Sequence, residues 1–210
     1  MDQDTNKSFT TALAKFISIV FHPLLMPLYG LGIIFTAPTL LVYMPVEVKK
    51  LLFLIVFINN VFIPLVLLPF FKNRNLISTY TIEDKKERAV PLIMMSVLYS
   101  VTSFVIFKYQ IPGFLKSFIF ASTILVILVT LINFWYKISI HAVAAGALIA
   151  VVALLSLKMS SPLVWYLVST ILTAGLILSS RLKLNSHDPG QVWSGFFTGF
   201  AVSGIFFLLI

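Results

Sequence analysis

Histidine is the scarcest chemically useful residue of this 210-residue chain, and the three present, His22, His141 and His187, do not sit at random. His187 lies within the string Ser180-Arg181, five residues, His187, three residues, Gln191. His141 ends Lys137-Ile138-Ser139-Ile140-His141. A third polar run, Glu83-Asp84-Lys85-Lys86-Glu87-Arg88, leads into Pro91. Two imidazoles with fixed cations beside them suit phosphoryl transfer, in which catalysis is mostly positioning and stabilisation of charge on the phosphoryl oxygens. One histidine would attack phosphorus and the other would protonate the leaving alkoxide. Arg88, Arg181 and one of Lys85 or Lys86 would balance the charge, and Ser139, at the start of a helix, would present its hydroxyl and backbone N–H groups to an anion.

Composition decides what kind of element must position these groups. Hydrophobic residues make up 60% of the chain and charged ones only 10%, with a mean hydropathy of +1.04. A soluble surface cannot be wetted with so little charge, since ordinary globular chains carry about 25%. Hydropathy with charged breaks predicts seven spans, 16–35, 51–71, 91–107, 117–134, 141–157, 163–178 and 193–210. The expectation is an all-α integral membrane protein, a six- to seven-helix transmembrane bundle. It comprises a tail over 1–15, without the pattern of a cleaved signal peptide, and one helical domain over 16–210. His22, Pro23 and Pro27 interrupt the first span, so its N-terminal half is also compatible with a helix lying along the interface. The expected location is multi-pass in the cell membrane.

Counting crossings puts the tail, the 72–90 loop, the 136–140 turn and the 180–192 loop on one face. Ten of the fifteen lysines and arginines lie there, together with all three polar clusters. All seven acids lie in loops or the tail, which argues against a carboxylate proton relay through the membrane. With no cysteine there is no disulfide, thiolate metal site or cysteine nucleophile. No cofactor or metal is expected, since carboxylates cluster only at 83–87, and no nucleic-acid partner is expected. Asp188, Pro189 and Gln191 also read as N-cap, first and third residues of a helix. Asn59 and Asn60, beside Pro64, read as interhelical hydrogen bonding, and Gly195, Gly199 and Gly204 as close helix packing.

The three clusters together resemble the type 2 phosphatidic acid phosphatase superfamily, which includes lipid phosphatases and the vanadium haloperoxidases. Its motifs are Lys-x6-Arg-Pro, Pro-Ser-Gly-His and Ser-Arg-x5-His-x3-Asp. Ser180, Arg181 and His187 match the third; Ser139 and His141 keep the spacing of the second, with Ile138 and Ile140 in place of Pro and Gly. The first is loosest: Arg88 is separated from Pro91 by two residues, and Thr81 stands where the lysine belongs. The resemblance spans 83–210. It implies a metal-independent phosphatase acting on a lipid phosphate or pyrophosphate through a phosphohistidine on His187, with His141 as general acid and Ser180 and Arg181 on the phosphate. Gln191 replaces the family's Asp, which in the family orients the nucleophile and stabilises its charge. A non-catalytic membrane protein, whether a degenerate phosphatase that binds lipid phosphate or a transport or scaffold component, is the other reading.

Overall fold

A computed structural model describes residues 2–80, 82 and 84–209; Thr81 and Glu83 of the first polar run lie outside it. The described residues form α1 (Asp2–Val20), α2 (Met26–Thr36), α3 (Val46–Phe57), α4 (Ile63–Asn73), α5 (Ala89–Phe107), α6 (Gly113–Asn133), α7 (Ile140–Lys158), α8 (Val164–Lys183) and α9 (Pro189–Leu209). Six stretches are long and apolar enough to cross a membrane: Val46–Asn73, in which α3 and α4 join without a break, and then α5 to α9. The fold is therefore an all-helical bundle, with short apolar α2 and amphipathic α1 added to it.

The expected first span, 16–35, is not continuous. Pro23 cannot donate a backbone hydrogen bond and biases His22 away from helical geometry. The chain accordingly turns at 21–25 and restarts at Met26, with Pro27 in the first turn where its missing N–H costs nothing. α1 packs along α8, and α2 along α7 and α3. Ala14 and Ser18 form the buried side of α1, while Phe9, Leu13, Phe16 and Ile19 face outward.

The outer faces of the bundle carry Phe53, Leu65, Val66, Phe104, Leu131, Leu172 and Ile205, as a lipid solvent requires. Trp135 near one end and Trp165 near the other are 78% and 83% exposed, the placement of interfacial tryptophans. Several polar groups within the spans are paired across helices. Asn59 Nδ2 donates to Thr102 Oγ1 at 3.0 Å, and Thr102 Oγ1 to Asn60 Oδ1 at 2.7 Å. The asparagines occupy a π-turn (Ile58–Phe62) just before Pro64, so the expected interhelical role holds. Ser103 and Thr123 share a 2.7 Å hydrogen bond between α5 and α6, as do Ser96 and Thr130 at 2.8 Å.

α7 and α9 make the most extensive helix contact. Gly146 lies against the backbone of Phe196, Gly199 against that of Val143, and a Cβ on Gly195 would meet the Ser139 carbonyl oxygen at 2.7 Å. Gly204 faces open space and takes no part, contrary to the sequence expectation. Because backbone cannot yield as a side chain can, Gly199→Ala is expected to force the helices apart. Overpacking of this kind costs roughly 1–3 kcal/mol, read as a lower unfolding temperature in detergent, whereas Gly204→Ala, with open space for its methyl, does not lower it.

Candidate functional site

The polar residues converge where the α7–α9 contact ends. Asp188 caps α9, its Oδ1 accepting from the Gln191 N–H at 2.8 Å, the N-cap geometry read from the sequence. Capping fixes the first turn of α9, and the Gln191 side chain turns back to His187, with 2.8 Å between His187 Nδ1 and Gln191 Oε1. An amide oxygen only accepts, so Nδ1 carries the proton and Nε2 keeps its lone pair. Across the helix contact, the Ser139 N–H donates to the Gln191 carbonyl at 3.2 Å, tying the start of α7 to the start of α9. That N–H is thereby committed. Ser139 Oγ is fully buried and has no hydrogen-bond partner.

His141, in the first turn of α7, places Nε2 3.2 Å from the Ser18 carbonyl of α1. Again the partner only accepts, so the transferable site of this ring is Nδ1. Ser18 serves a second group, its Oγ accepting from Arg181 Nη1 at 3.4 Å. The His22 ring stands edge-on to that of His141, centroids 5.6 Å apart. α1 therefore reaches both a candidate acid and a candidate phosphate ligand, although none of the three motifs lies in it.

Part of this set lines one cavity of about 750 Å³, while His187, Gln191 and Ser139 are not in its lining. Arg88, His141 and Arg181 line it, joined by Lys15, Ser18, His22 and Lys137, none of which the motifs single out for phosphate. Ser186 lines it too, and the adjacent His187 is 6% exposed. Among the described residues, no acid belongs to the lining. Asp84 and Glu87 are occupied within their own loop, by the Lys86 N–H and by Ser78, and Asp188 by the α9 cap.

Other expected ligands stand apart. Lys85 Nζ donates to the carbonyls of Phe134 at 3.1 Å and Trp135 at 3.3 Å, capping the C-terminus of α6, while Asn133 Nδ2 donates to the Lys85 carbonyl at 3.0 Å. Lys86 is exposed and does not line the cavity. Ser180 Oγ is buried and donates to the Leu176 carbonyl of its own helix at 2.7 Å. The loop's contribution comes instead through Tyr80, Ile82 and Arg88, with Arg88 Nε donating to the Ile82 carbonyl at 3.0 Å. Among the described residues, no three His, Asp or Glu side chains converge as a metal site would require.

Burial pushes the His187 imidazole down to about 4, and the charges of Arg88, Arg181 and Lys137 act in the same direction, against the Gln191 hydrogen bond. At neutral pH His187 is therefore an uncharged imidazole, the form a nucleophile needs. No protein-family model, no curated protein and no solved structure matches the chain.

A carboxylate in place of the amide would favour the imidazolium. Gln191→Glu is expected to raise the His187 pKa by about one to three units, read by NMR titration of the labelled imidazole. An unchanged titration would show that residue 191 does not set the state of His187.

Proposed function

We propose that this chain is a membrane-embedded phosphohydrolase, a divergent member of the type 2 phosphatidic acid phosphatase superfamily, acting on a lipid phosphate or pyrophosphate. The observation that carries the reading is the His187–Gln191 pair: a buried imidazole held by its Nδ1–H, uncharged, within the electrostatic reach of Arg88 and Arg181. A cationic mouth opening into an apolar interior supports an anionic lipid as substrate.

The reaction runs in two displacements. His187 Nε2 attacks phosphorus; the P–N bond forms as the P–O bond to the alkyl group breaks, and the departing alkoxide takes the proton of the His141 imidazolium. Ser18 accepts from the other nitrogen of that ring through its carbonyl, which fixes the ring's direction. Water then attacks the phosphohistidine, gives a proton to His141, and the P–N bond breaks to release phosphate and restore both rings. Arg88 and Arg181 balance charge on the phosphoryl oxygens throughout, aided by Lys15 and Lys137. Gln191 keeps the nucleophile in its correct tautomer, the directing role that a carboxylate has in a serine protease triad. It adds no negative charge, so the phosphohistidine ring is stabilised less than it would be beside a carboxylate.

The test is phosphate release from phosphatidic acid, phosphatidylglycerophosphate and a polyprenyl pyrophosphate by the protein in detergent. His187→Ala is expected to abolish release. Arg181→Ala should lower it by about 10²-fold or more, as removal of a transition-state donor does elsewhere. Lys86→Ala is expected to leave it within about twofold, since exposed surface charges contribute little. Release that survives His187→Ala would remove the nucleophile from the scheme, and binding of these lipids without release from any would leave a phosphate-lipid binder.

A further inference from the structure

The mechanism uses only the mouth of the cavity, yet most of its wall is apolar and lies inside the bundle. Down α6 the lining runs through Val129, Val126, Leu125, Ser122, Ala121 and Phe118. On α7 it runs from His141 through Ala144, Ala147 and Leu148 to Val151. The ten residue steps from His141 to Val151 correspond to about 15 Å of depth at ~1.5 Å per step. α5 contributes Leu92, Met95 and Tyr99 along the same direction, and Ser203 of α9 lies among the deep positions.

We infer that this interior holds the hydrocarbon tail of the phosphate ligand: one extended chain, threaded between the helices with its phosphate at the arginines, its length limited by the depth of the cavity. The inference rests on the phosphate reading of the mouth. Three properties select the occupant. Arg88, Arg181, Lys15 and Lys137 demand an anion at one end, with no acid in the described lining. The remainder has hardly any polar side chain to reward a soluble ligand. An extended chain advances about 1.2 Å per bond, by analogy with the polypeptide backbone, so ~15 Å takes about a dozen bonds. The volume, about 750 Å³, corresponds to some 25 groups the size of a water molecule at ~30 Å³ each. That accommodates one such chain with its headgroup, and not two.

Depth along α6 makes a ruler that substitutions can shorten. Ser122 and Val126 both line the cavity and are only partly buried, so a larger side chain at either can be accommodated in the fold. Val126 lies four residues nearer the mouth, about 6 Å or some five chain bonds.

The experiment is calorimetric titration of monoalkyl phosphates from butyl to octadecyl into the inactive His187→Ala protein in nanodiscs, with empty nanodiscs as blanks. Affinity is expected to rise roughly fourfold per methylene and to level off near twelve carbons. Ser122→Phe should move the plateau to shorter chains, and Val126→Phe should move it about five carbons further. Arg181→Ala should weaken every chain length by a similar factor. Didodecyl phosphate should bind no better than a short monoalkyl phosphate.

An unbroken rise through octadecyl that neither phenylalanine alters would put the tail in the bilayer and overturn the inference, as would tight binding of didodecyl phosphate. If the variants fail to fold, the position of the wild-type plateau still decides. A plateau near twelve carbons, with no phosphate release by the active protein, would keep the tail site and remove the hydrolase. Release without any chain-length plateau would do the reverse.

Discussion

Everything at the mouth of the cavity depends on how closely α7 and α9 approach. Two helix backbones in direct contact through Gly146, Gly195 and Gly199 leave little freedom to slide, because each glycine fits one position on its partner. In lipid there is no hydrophobic force between helices, so close van der Waals packing of small residues has to hold them. The first turns of the two helices are thereby fixed in register, and the Ser139 N–H finds the Gln191 carbonyl. His141 follows Ser139 by two residues and His187 precedes Gln191 by four, so the same contact brings the two rings within electrostatic reach of each other. A looser contact would leave both imidazoles in place on their own helices and lose the distance between them.

Charge is the second constraint. The mouth gathers four fixed cations where the membrane protein has few to spend, and His187 sits buried among them. A cationic ring there would be repelled from every side. Gln191 fixes the direction of the ring; its hydrogen bond pulls toward the protonated form, but burial and the surrounding cations outweigh that pull and the imidazole stays neutral. On the proposed mechanism, the same field would attract a phosphate dianion. On that mechanism, an uncharged Gln191 would stabilise a phosphohistidine ring less than a carboxylate would.

How much of this was legible in the sequence follows the range of the interaction concerned. Hydropathy found all six long spans because solvation by lipid acts residue by residue, and the structure lengthened them by a few residues at most ends. The cap formed by Asp188 on Gln191 was readable because it closes within four residues. Crossing parity placed Arg88, His141, Arg181 and His187 on one face, and three of the four line one cavity. Contacts between distant segments were not legible. Lys85 reads as a phosphate ligand by type and neighbourhood, yet its ammonium is taken by two carbonyls some fifty residues away. His22 reads as packing beside a proline, and Ser18 carries no signal at all. Their roles arise only because α1 lies along α8, an arrangement no local pattern encodes. Gly199 and Gly204 are alike in sequence and differ wholly in surroundings.

The cavity itself has a backbone origin. Helices of apolar side chains close on one another unless something holds them apart, and here Pro23, Pro27, Pro64 and Pro91 all border the cavity. Pro23 and Pro27 bracket the break that makes α2 only eleven residues long, so no full-length helix fills that side of the interior. Pro64 follows the π-turn at Ile58–Phe62, where an extra residue per turn relieves the clash of its ring with the preceding turn. Pro91 sits in the first turn of α5, where no intrahelical donor is lost, directly after Arg88 and the loop that supplies it. Each proline is placed where its backbone cost is low or already met by a neighbouring irregularity. Together they keep the α2, α4 and α5 walls from collapsing onto α6 and α7. In such a bundle the space for a ligand is set by where the chain cannot continue a regular helix, and the chemistry at its mouth by which polar side chains those interruptions bring to the surface.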